Sequence, residues 1–311
     1  MGEVTPPEEE IAQIVQVLGT RLLRDESLAN HTTYHVGGTA ALYVELTSTE
    51  SLELLAEALV DTTIPLLVVG NGSNLLVADS GFPGLVIHLS GIFGELRLSL
   101  HEGRLDVGGA VALPVIARRA VAGGFAGLEW MVGIPGSMGG AIAMNAGGHG
   151  ASTEQNLHTA RVLELRTGIQ REYRVDELEC AYRSTRITDD ELVISAMLEA
   201  NEARDRAHSR ALLDEIVSWR RANQPGGRNC GSVFTNPVGD SAGRLIEAAG
   251  LKGYRVGGAE VSPKHANFIQ SESGGTAADV AALIEIVRHR VFESSGVVLE
   301  TELRMVGFPD A

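Results

Sequence analysis

Cysteine, lysine and long apolar runs are what this 311-residue chain has least of. Its two cysteines, Cys180 and Cys230, are too few for a disulfide framework or a four-cysteine zinc site. No apolar run approaches the roughly 18 residues of a membrane span, and the acidic start from Met1 to Glu10 is unlike a secretion signal. Positive charge is also scarce. With 25 Lys and Arg against 40 Asp and Glu, the net charge of -15 argues against a grip on nucleic-acid phosphates. Lysine stands only at Lys252 and Lys264, and neither lies in a Gly-Lys-Ser/Thr phosphate loop, which excludes a P-loop NTPase. These absences predict a cytoplasmic protein that handles neither membrane nor nucleic acid.

What is present fits a soluble globular protein of about two domains, with 44% hydrophobic and 21% charged residues. Glycine is abundant, 37 residues in tight clusters without a collagen-like period. No repeat of 20–50 residues appears, so a solenoid is not expected. In a chain that otherwise uses Arg, the two lysines mark places where a compact ammonium is wanted.

Apolar spacing at Ile11, Ile14, Val15, Leu18 and Leu22 predicts a helix over 9–24. Strands are predicted over 41–46, 65–69, 85–89, 95–100, 104–107, 161–165, 171–175, 192–198, 266–270 and 297–306. Helices are predicted over 51–60, 113–122, 202–223, 242–249 and 277–292, the third leading from one domain to the next. The mixture is α/β or α+β, and its strand spacing is too irregular for a barrel of repeated units.

Two glycine-rich segments carry chemistry. In Val68-Val69-Gly70-Asn71-Gly72-Ser73-Asn74-Leu75-Leu76, an apolar strand ends in small residues able to expose successive backbone N–H groups, a nest for phosphate without lysine. A tight hairpin loop is the plainer reading. The dinucleotide fingerprint is absent, because the third glycine is missing and Leu75 begins a strand. The second segment is Gly133-Ile134-Pro135-Gly136-Ser137-Met138-Gly139-Gly140-Ala141, continuing to Met144-Asn145-Ala146-Gly147-Gly148. Each such glycine costs up to about 1 kcal/mol in a helix, a cost offset where backbone approaches a large or charged ligand. Close-packed loops are the alternative. Ser137 is not a nucleophile elbow, since Pro135 displaces the first glycine. Two anion cradles suggest a dinucleotide cofactor.

Three further segments stand out. Cys230-Gly231-Ser232-Val233-Phe234-Thr235-Asn236-Pro237 offers a serine at a short strand, and Ala181-Tyr182-Arg183-Ser184 an arginine. In Leu299-Glu300-Thr301-Glu302-Leu303-Arg304, alternation places Glu300, Glu302 and Arg304 on one strand face. Each also reads as an ordinary hydroxyl, surface arginine or charged strand edge. His31 and His35 are four apart, but Gly37-Gly38 speak against the helix a zinc pair needs, so no metal is expected.

Taken in order, these segments resemble the family of UDP-N-acetylenolpyruvoylglucosamine reductases (UDP-N-acetylmuramate dehydrogenases), from Asn30-His31-Thr32-Thr33 to Glu302-Leu303-Arg304. The resemblance implies an α+β fold: a vanillyl-alcohol-oxidase-type FAD-binding domain of two α/β subdomains, plus a C-terminal α+β substrate-binding domain. It divides the chain into a helical extension over 1–24, the FAD-binding domain over 25–200 with a split near 85–90, and the substrate-binding domain over 201–311. The short stretch between Arg183 and Ser232 matches the subtype without an inserted lid. Thr235 stands where Lys is common, Cys230 where Ala is usual and His35 where a basic residue is frequent.

Bound FAD and NADPH as hydride donor are further implications, with a UDP-sugar as substrate, a monomeric state, and a part in cell-wall synthesis, cell shape and cell division. Gly70, Asn71, Gly72, Ser73, Asn74, Leu75, Gly133, Ile134, Pro135, Gly136, Ser137, Gly139, Gly140, Ala141, Asn145, Ala146 and Gly147 would surround FAD. Arg183, Ser232 and Glu302 fall on catalytic positions; Tyr182, Asn236, Lys252 and His265 fall on substrate-binding ones. Reduction of an enolpyruvyl ether builds charge beside its carboxylate, which suits Arg183 as the cation, Ser232 as proton donor and Glu302 held protonated by burial. The same fold would also serve a sugar- or lactone-oxidising flavoprotein, or a catalytically silent nucleotide-sugar-binding protein.

Overall fold

Helix α1 (Glu8–Leu18) opens the chain and buries Ile14 and Leu18 completely. The computed structural model describes residues 7–308, so the first six residues of the acidic start lie outside the described residues. The helix expected to run to 24 stops early. Gly19 takes a left-handed φ of 55°, a conformation that favours glycine, and Leu22–Ser27 then forms strand β1. Leu22 thus kept helical spacing by coincidence.

Next come β2 (Thr39–Leu46), α2 (Thr49–Leu59), β3 (Leu66–Val69), β4 (Leu75–Val77) and β5 (Phe82–Leu89). Ser48 and Ser51 cap α2 by satisfying each other's backbone N–H groups. The first sheet has the order β1-β2-β5-β3, with β5 parallel to both β2 and β3. Its apolar strands are covered on both faces, as parallel pairing requires. Leu42, Val44, Leu85 and Ile87 join α1 and α2 in one core, while Leu67, Val69 and Val86 join β4 in another.

The next elements are β6 (Leu96–Ser99), β7 (Arg104–Gly108), α3 (Leu113–Gly123), β8 (Phe125–Ala126), α4 (Met138–Ala143), β9 (Gly147–Gly148), β10 (Ala151–Ser152), β11 (Leu157–Glu164), β12 (Gln170–Arg174) and β13 (Glu191–Glu199), which contain a second sheet. Five strands pair antiparallel in the order β12-β11-β13-β7-β6, and α3 and α4 pack on them. The first sheet therefore ends at Leu89 and the second begins at Leu96.

After β14 (Asn201–Glu202), which pairs with β8, the chain enters α5 (Arg206–Asn223). Leu213 and Ile216 of α5 lie in the same core as Trp130, Met131 and Ile142. We therefore draw the division from the C-terminal part after Asn223 rather than at 200, because burial ties α5 to the second sheet.

The C-terminal part comprises α6 (Ala242–Ala248), β15 (Arg255–Val256), β16 (Ala259–Val261), β17 (Ile269–Ser271), α7 (Ala277–Ser295) and β18 (Arg304–Val306). The strand expected over 266–270 is shifted, since Phe268 N–H turns back to the carbonyl of His265. The strand expected over 297–306 is broken. Thr301 makes one bridge to Phe234, and only Arg304–Val306 pairs as a strand, parallel to β4. Leu299 and Leu303 are buried while Thr301 is exposed, so the expected two-faced alternation fails. Two ties bind this part to the first sheet's segments. Asp79 accepts the N–H groups of Ala277 and Ala278 at the start of α7, each at 2.9 Å, and Tyr34 and Leu76 enter the C-terminal core.

Candidate active site

The parallel β4–β18 pairing decides where the site forms, because it brings the segments that precede the two strands, the first glycine loop and Glu302, together at one end of the pair. Asn74 Nδ2 donates to the Glu302 carbonyl (2.9 Å), and Arg304 N–H donates to the Asn74 carbonyl (3.1 Å). Glu302 N–H in turn donates to the carbonyl of Val233 (2.8 Å), the residue after Ser232. Three segments distant in sequence are stitched together by backbone. Ser232 itself is half-buried and follows Gly231, whose φ of 77° turns the chain.

Arg183 comes from a turn in which Ala181 and Ser184 bond each other's backbone. Its φ of 60° is costly for a side chain with a Cβ, by about 1–2 kcal/mol, and marks a conformation that the surroundings impose. Those surroundings are explicit. Arg183 Nε donates to Glu302 Oε1 at 2.6 Å, Nη2 donates to the Gly147 carbonyl at 3.0 Å, and the guanidinium lies over the Tyr182 ring at 5.0 Å. The Arg183 and Glu302 side chains retain 23% and 18% exposure, so the pair is partly shielded yet reachable. Burial pushes the Glu302 carboxyl above its usual range, and the Arg183 charge pulls it back only in part. At Gly147 a Cβ would stand 3.2 Å from Arg183 Nη1 and 2.6 Å from the Ala151 carbonyl, so only glycine lets the guanidinium settle there.

The two glycine loops face each other. A Cβ on Gly70 would collide with Ser137 Oγ, and one on Gly136 would touch Ser73 Oγ at 3.7 Å. Among the described residues, the N–H groups of Asn71, Gly72, Ser73 and Asn74 find no acceptor in the chain, and neither do those of Gly136, Ser137 and Gly140. Free donors converging from two loops suit a diphosphate, and FAD therefore fits these residues. Other expected FAD contacts have no donor to give. The N–H groups of Ile134, Gly139, Ala141, Asn145 and Ala146 are spent on carbonyls within the chain, and Pro135 has none. Asn145 Nδ2 bonds Glu154 Oε2 and the Ala181 carbonyl, while Leu75 is buried in β4. The backbone N–H groups of these residues are therefore not among the free donors. The Gly147 carbonyl accepts from Arg183.

Gly72 has the least freedom of these glycines. Its φ is 59°, and a Cβ there would drive into the His31 carbonyl and Thr32 Cα. Gly72→Ala is expected to yield folded protein that purifies with at least about tenfold less flavin, by analogy with the 1–3 kcal/mol scale of strained backbone. The ratio of flavin to protein absorbance measures it, and an unchanged ratio would remove this loop from the cradle.

Of the expected substrate residues, Tyr182 lies against Arg183, while Asn236, Lys252 and His265 gather around α6. Asn236 Oδ1 accepts the N–H of Ala242 (3.1 Å), and Lys252 Nζ pairs with Glu247 Oε1 (2.8 Å). His265 packs edge-on to Phe268, and burial together with the Lys252 charge pushes its imidazole below its usual range. Thr235 N–H donates to the Glu300 carbonyl (2.9 Å), which links this group to the Glu302 segment. The sequence places Trp219 with Leu212, Leu213 and Ile216 on one face of α5, where the structure leaves it exposed, and two neighbours of the cradle, His149 and Arg220, escape the sequence reading. The signal was there in part, since Leu213, Ile216 and Arg220 share one face of α5.

Comparisons with known proteins meet the same segments. A family model described as the C-terminal domain of UDP-N-acetylenolpyruvoylglucosamine reductase matches residues 223–306, and one described as an FAD binding domain matches residues 40–172. A UDP-N-acetylenolpyruvoylglucosamine reductase of Heliobacterium modesticaldum is 42% identical over 96% of this chain and 94% of its own length. The chain belongs to the UDP-N-acetylenolpyruvoylglucosamine reductase family. A second reductase, from Symbiobacterium thermophilum, is 39% identical and covers 98% of both chains. The crystal structure of the reductase from Thermus caldophilus superimposes with a TM-score of 0.78 at 34% identity, over 92% of this chain and 98% of that one. The α+β expectation stands with this family. Among the described residues no helix is long and apolar enough to cross a membrane, and no cluster of acids, histidines and cysteines could hold a metal ion.

Proposed function

We propose that this chain reduces the enolpyruvyl ether of UDP-N-acetylglucosamine enolpyruvate to UDP-N-acetylmuramate in peptidoglycan precursor synthesis, with FAD held between the two glycine loops and NADPH as hydride donor. The observation that carries this reading is the Arg183–Glu302 contact at 2.6 Å, tied through backbone both to the first glycine loop and to the chain beside Ser232. Bound FAD would supply hydride, drawn from NADPH, to the vinyl carbon furthest from the substrate carboxylate.

The chain's own residues do the rest. Arg183 is pinned through Nε and Nη2, and its remaining N–H groups meet the substrate carboxylate as charge grows on the neighbouring carbon. Ser232 Oγ gives its proton to that carbon. Burial already raises the Glu302 carboxyl against the pull of Arg183, and a second carboxylate arriving beside it raises its pKa further. Substrate binding is then coupled to proton uptake at Glu302, which frees Arg183 from its neutralising partner and lets the new carboxyl donate a hydrogen bond. Tyr182 borders the substrate through its ring contact with Arg183. Lys252, Asn236 and His265, grouped at α6, bind the diphosphate and nearby oxygens. All of these groups come from one chain, so a monomer suffices. A nucleotide-sugar substrate and NADPH place the work in the cytoplasm, and the product's fate links it to cell shape and division.

The test is a two-stage anaerobic titration of the FAD-loaded protein. NADPH is expected to bleach the flavin, and the enolpyruvyl UDP-sugar to restore its colour with stoichiometric product. Bleaching by a sugar or lactone instead, or failure of the colour to return, overturns the reading.

A further inference from the structure

Arg220 is a half-buried cation without an acid to meet. Arg166, Arg183 and Arg186, also half-buried, pair with Asp190, Glu302 and Glu191. Half-buried Arg228 donates to the backbone carbonyl of Glu272. Arg220 gives its Nε to a neutral amide, Gln224 Oε1 at 2.9 Å, and among the described residues no carboxylate pairs with it. Burial pushes its pKa down with no charge opposing the shift. In a chain of 40 acids and 25 bases, leaving a desolvated cation uncompensated is a cost that an anionic ligand would remove.

The surroundings identify the anion. Burial pushes the His149 imidazole down, and the Arg220 charge adds to that shift. The His149 ring stands edge-on to Trp219 at 5.3 Å, and a Cβ on Gly133 would come within 2.8 Å of it. Gly133 opens the second glycine loop, and Gly147, two residues before His149, holds the guanidinium of Arg183. Ile216, one turn before Arg220 on α5, would stand 3.3 Å from a Cβ on Gly133, and His149 turns the β9–β10 hairpin whose Gly147 carbonyl accepts from Arg183, so this end of α5 borders the second glycine loop on the side of Arg183. A flavin ring that gains two electrons and one proton becomes an anion at its pyrimidine edge, and the oxidised ring is neutral.

Resting on the flavin reading above, we propose that Arg220 carries the negative charge of the reduced FAD ring, holding the reduced cofactor more tightly than the oxidised one. The same residue would then set the driving force of both hydride transfers without touching the substrate.

The flavin midpoint potential of the purified holoenzyme, measured beside the dissociation constant of oxidised FAD, tests this. Arg220→Gln is expected to cut the preference for the reduced form about tenfold, which for a two-electron couple is about 30 mV lower. Affinity for oxidised FAD should change less than about threefold, well below the effect of losing a charge-assisted bond. Gln224→Glu gives Arg220 the carboxylate it lacks and should reproduce the drop with the arginine intact; Arg220→Lys should keep most of the wild-type potential. An unchanged potential in Arg220→Gln overturns the proposal. So does a tenfold loss of affinity for both redox forms alike, which would assign Arg220 to the diphosphate, or a change confined to the KM of NADPH or of the UDP-sugar. A wild-type chain that binds no FAD overturns the flavin reading and this proposal together.

Discussion

Ser232→Ala is expected to leave flavin bleaching by NADPH within about twofold of wild type while slowing return of the colour with the enolpyruvyl substrate by about 10²–10⁴-fold. The split follows from where the hydroxyl acts. Hydride transfer from NADPH to flavin needs no proton from the enzyme on a carbon, whereas reduction of the enolpyruvyl double bond does. The substitution removes one oxygen and nothing that holds the segment. Val233 still accepts the Glu302 N–H, Gly231 keeps its left-handed turn, and Phe234 N–H still bonds Asn267 Oδ1 at 3.0 Å. A folding defect is thus not the expected outcome, and stopped-flow absorbance resolves the two half-reactions. Equal survival of both, or equal loss, would take the proton-donor role away from Ser232.

Arg183→Ala should lower kcat by about 10²–10³-fold, the usual loss of about 3–4 kcal/mol when a preorganised donor to developing charge is removed. Arg183→Lys should recover little of it, because an ammonium cannot hold Glu302, the Gly147 carbonyl and a substrate carboxylate in one planar fork. The same variants carry a pH signature. Burial raises the Glu302 carboxyl in the folded chain, and Arg183 opposes that rise. The folded state therefore binds this proton more tightly than the unfolded chain, and stability falls as pH climbs from the ordinary carboxyl range through the raised value. Without Arg183 the rise is larger and the window of loss extends to higher pH. Thermal denaturation against pH should show Arg183→Ala losing stability faster than wild type across that window, and Arg183→Ala/Glu302→Gln should abolish the difference. If the double variant keeps the steeper slope, Glu302 is not its source. In turnover, the alkaline limb belonging to Glu302 should vanish in Glu302→Gln.

Most elements with a strong local cause were legible in sequence. Helix α2 had its Ser48–Ser51 cap, α3 its Pro114 and its glycine end, and α7 its long apolar stripe. The parallel strands read as short apolar runs because both faces are buried. Failures occurred where a distant segment outvoted the local pattern. Leu22 keeps helical register with Leu18, yet Gly19 breaks the helix and β2 claims Leu22 through the Leu22↔Val44 pair. The strand expected over 297–306 divides because Phe234 and β4 pair with different parts of it. The hydrogen-bond partners of Asn145 and Ala146 and the burial of Leu75 depend on the fold and could not be read from their glycine segments.

The amino-acid sequence by itself determined the family, the two glycine loops and the residue types able to serve an enolpyruvyl reduction, because these are encoded in short contiguous motifs. Only the tertiary structure decided that Arg183 faces Glu302, that Gly147 is an acceptor for that arginine, and that half-buried Arg220 meets no acid among the described residues. Each of those facts depends on chain segments far apart in sequence, and charge, burial and hydrogen-bond partners at such meetings cannot be read from either segment alone.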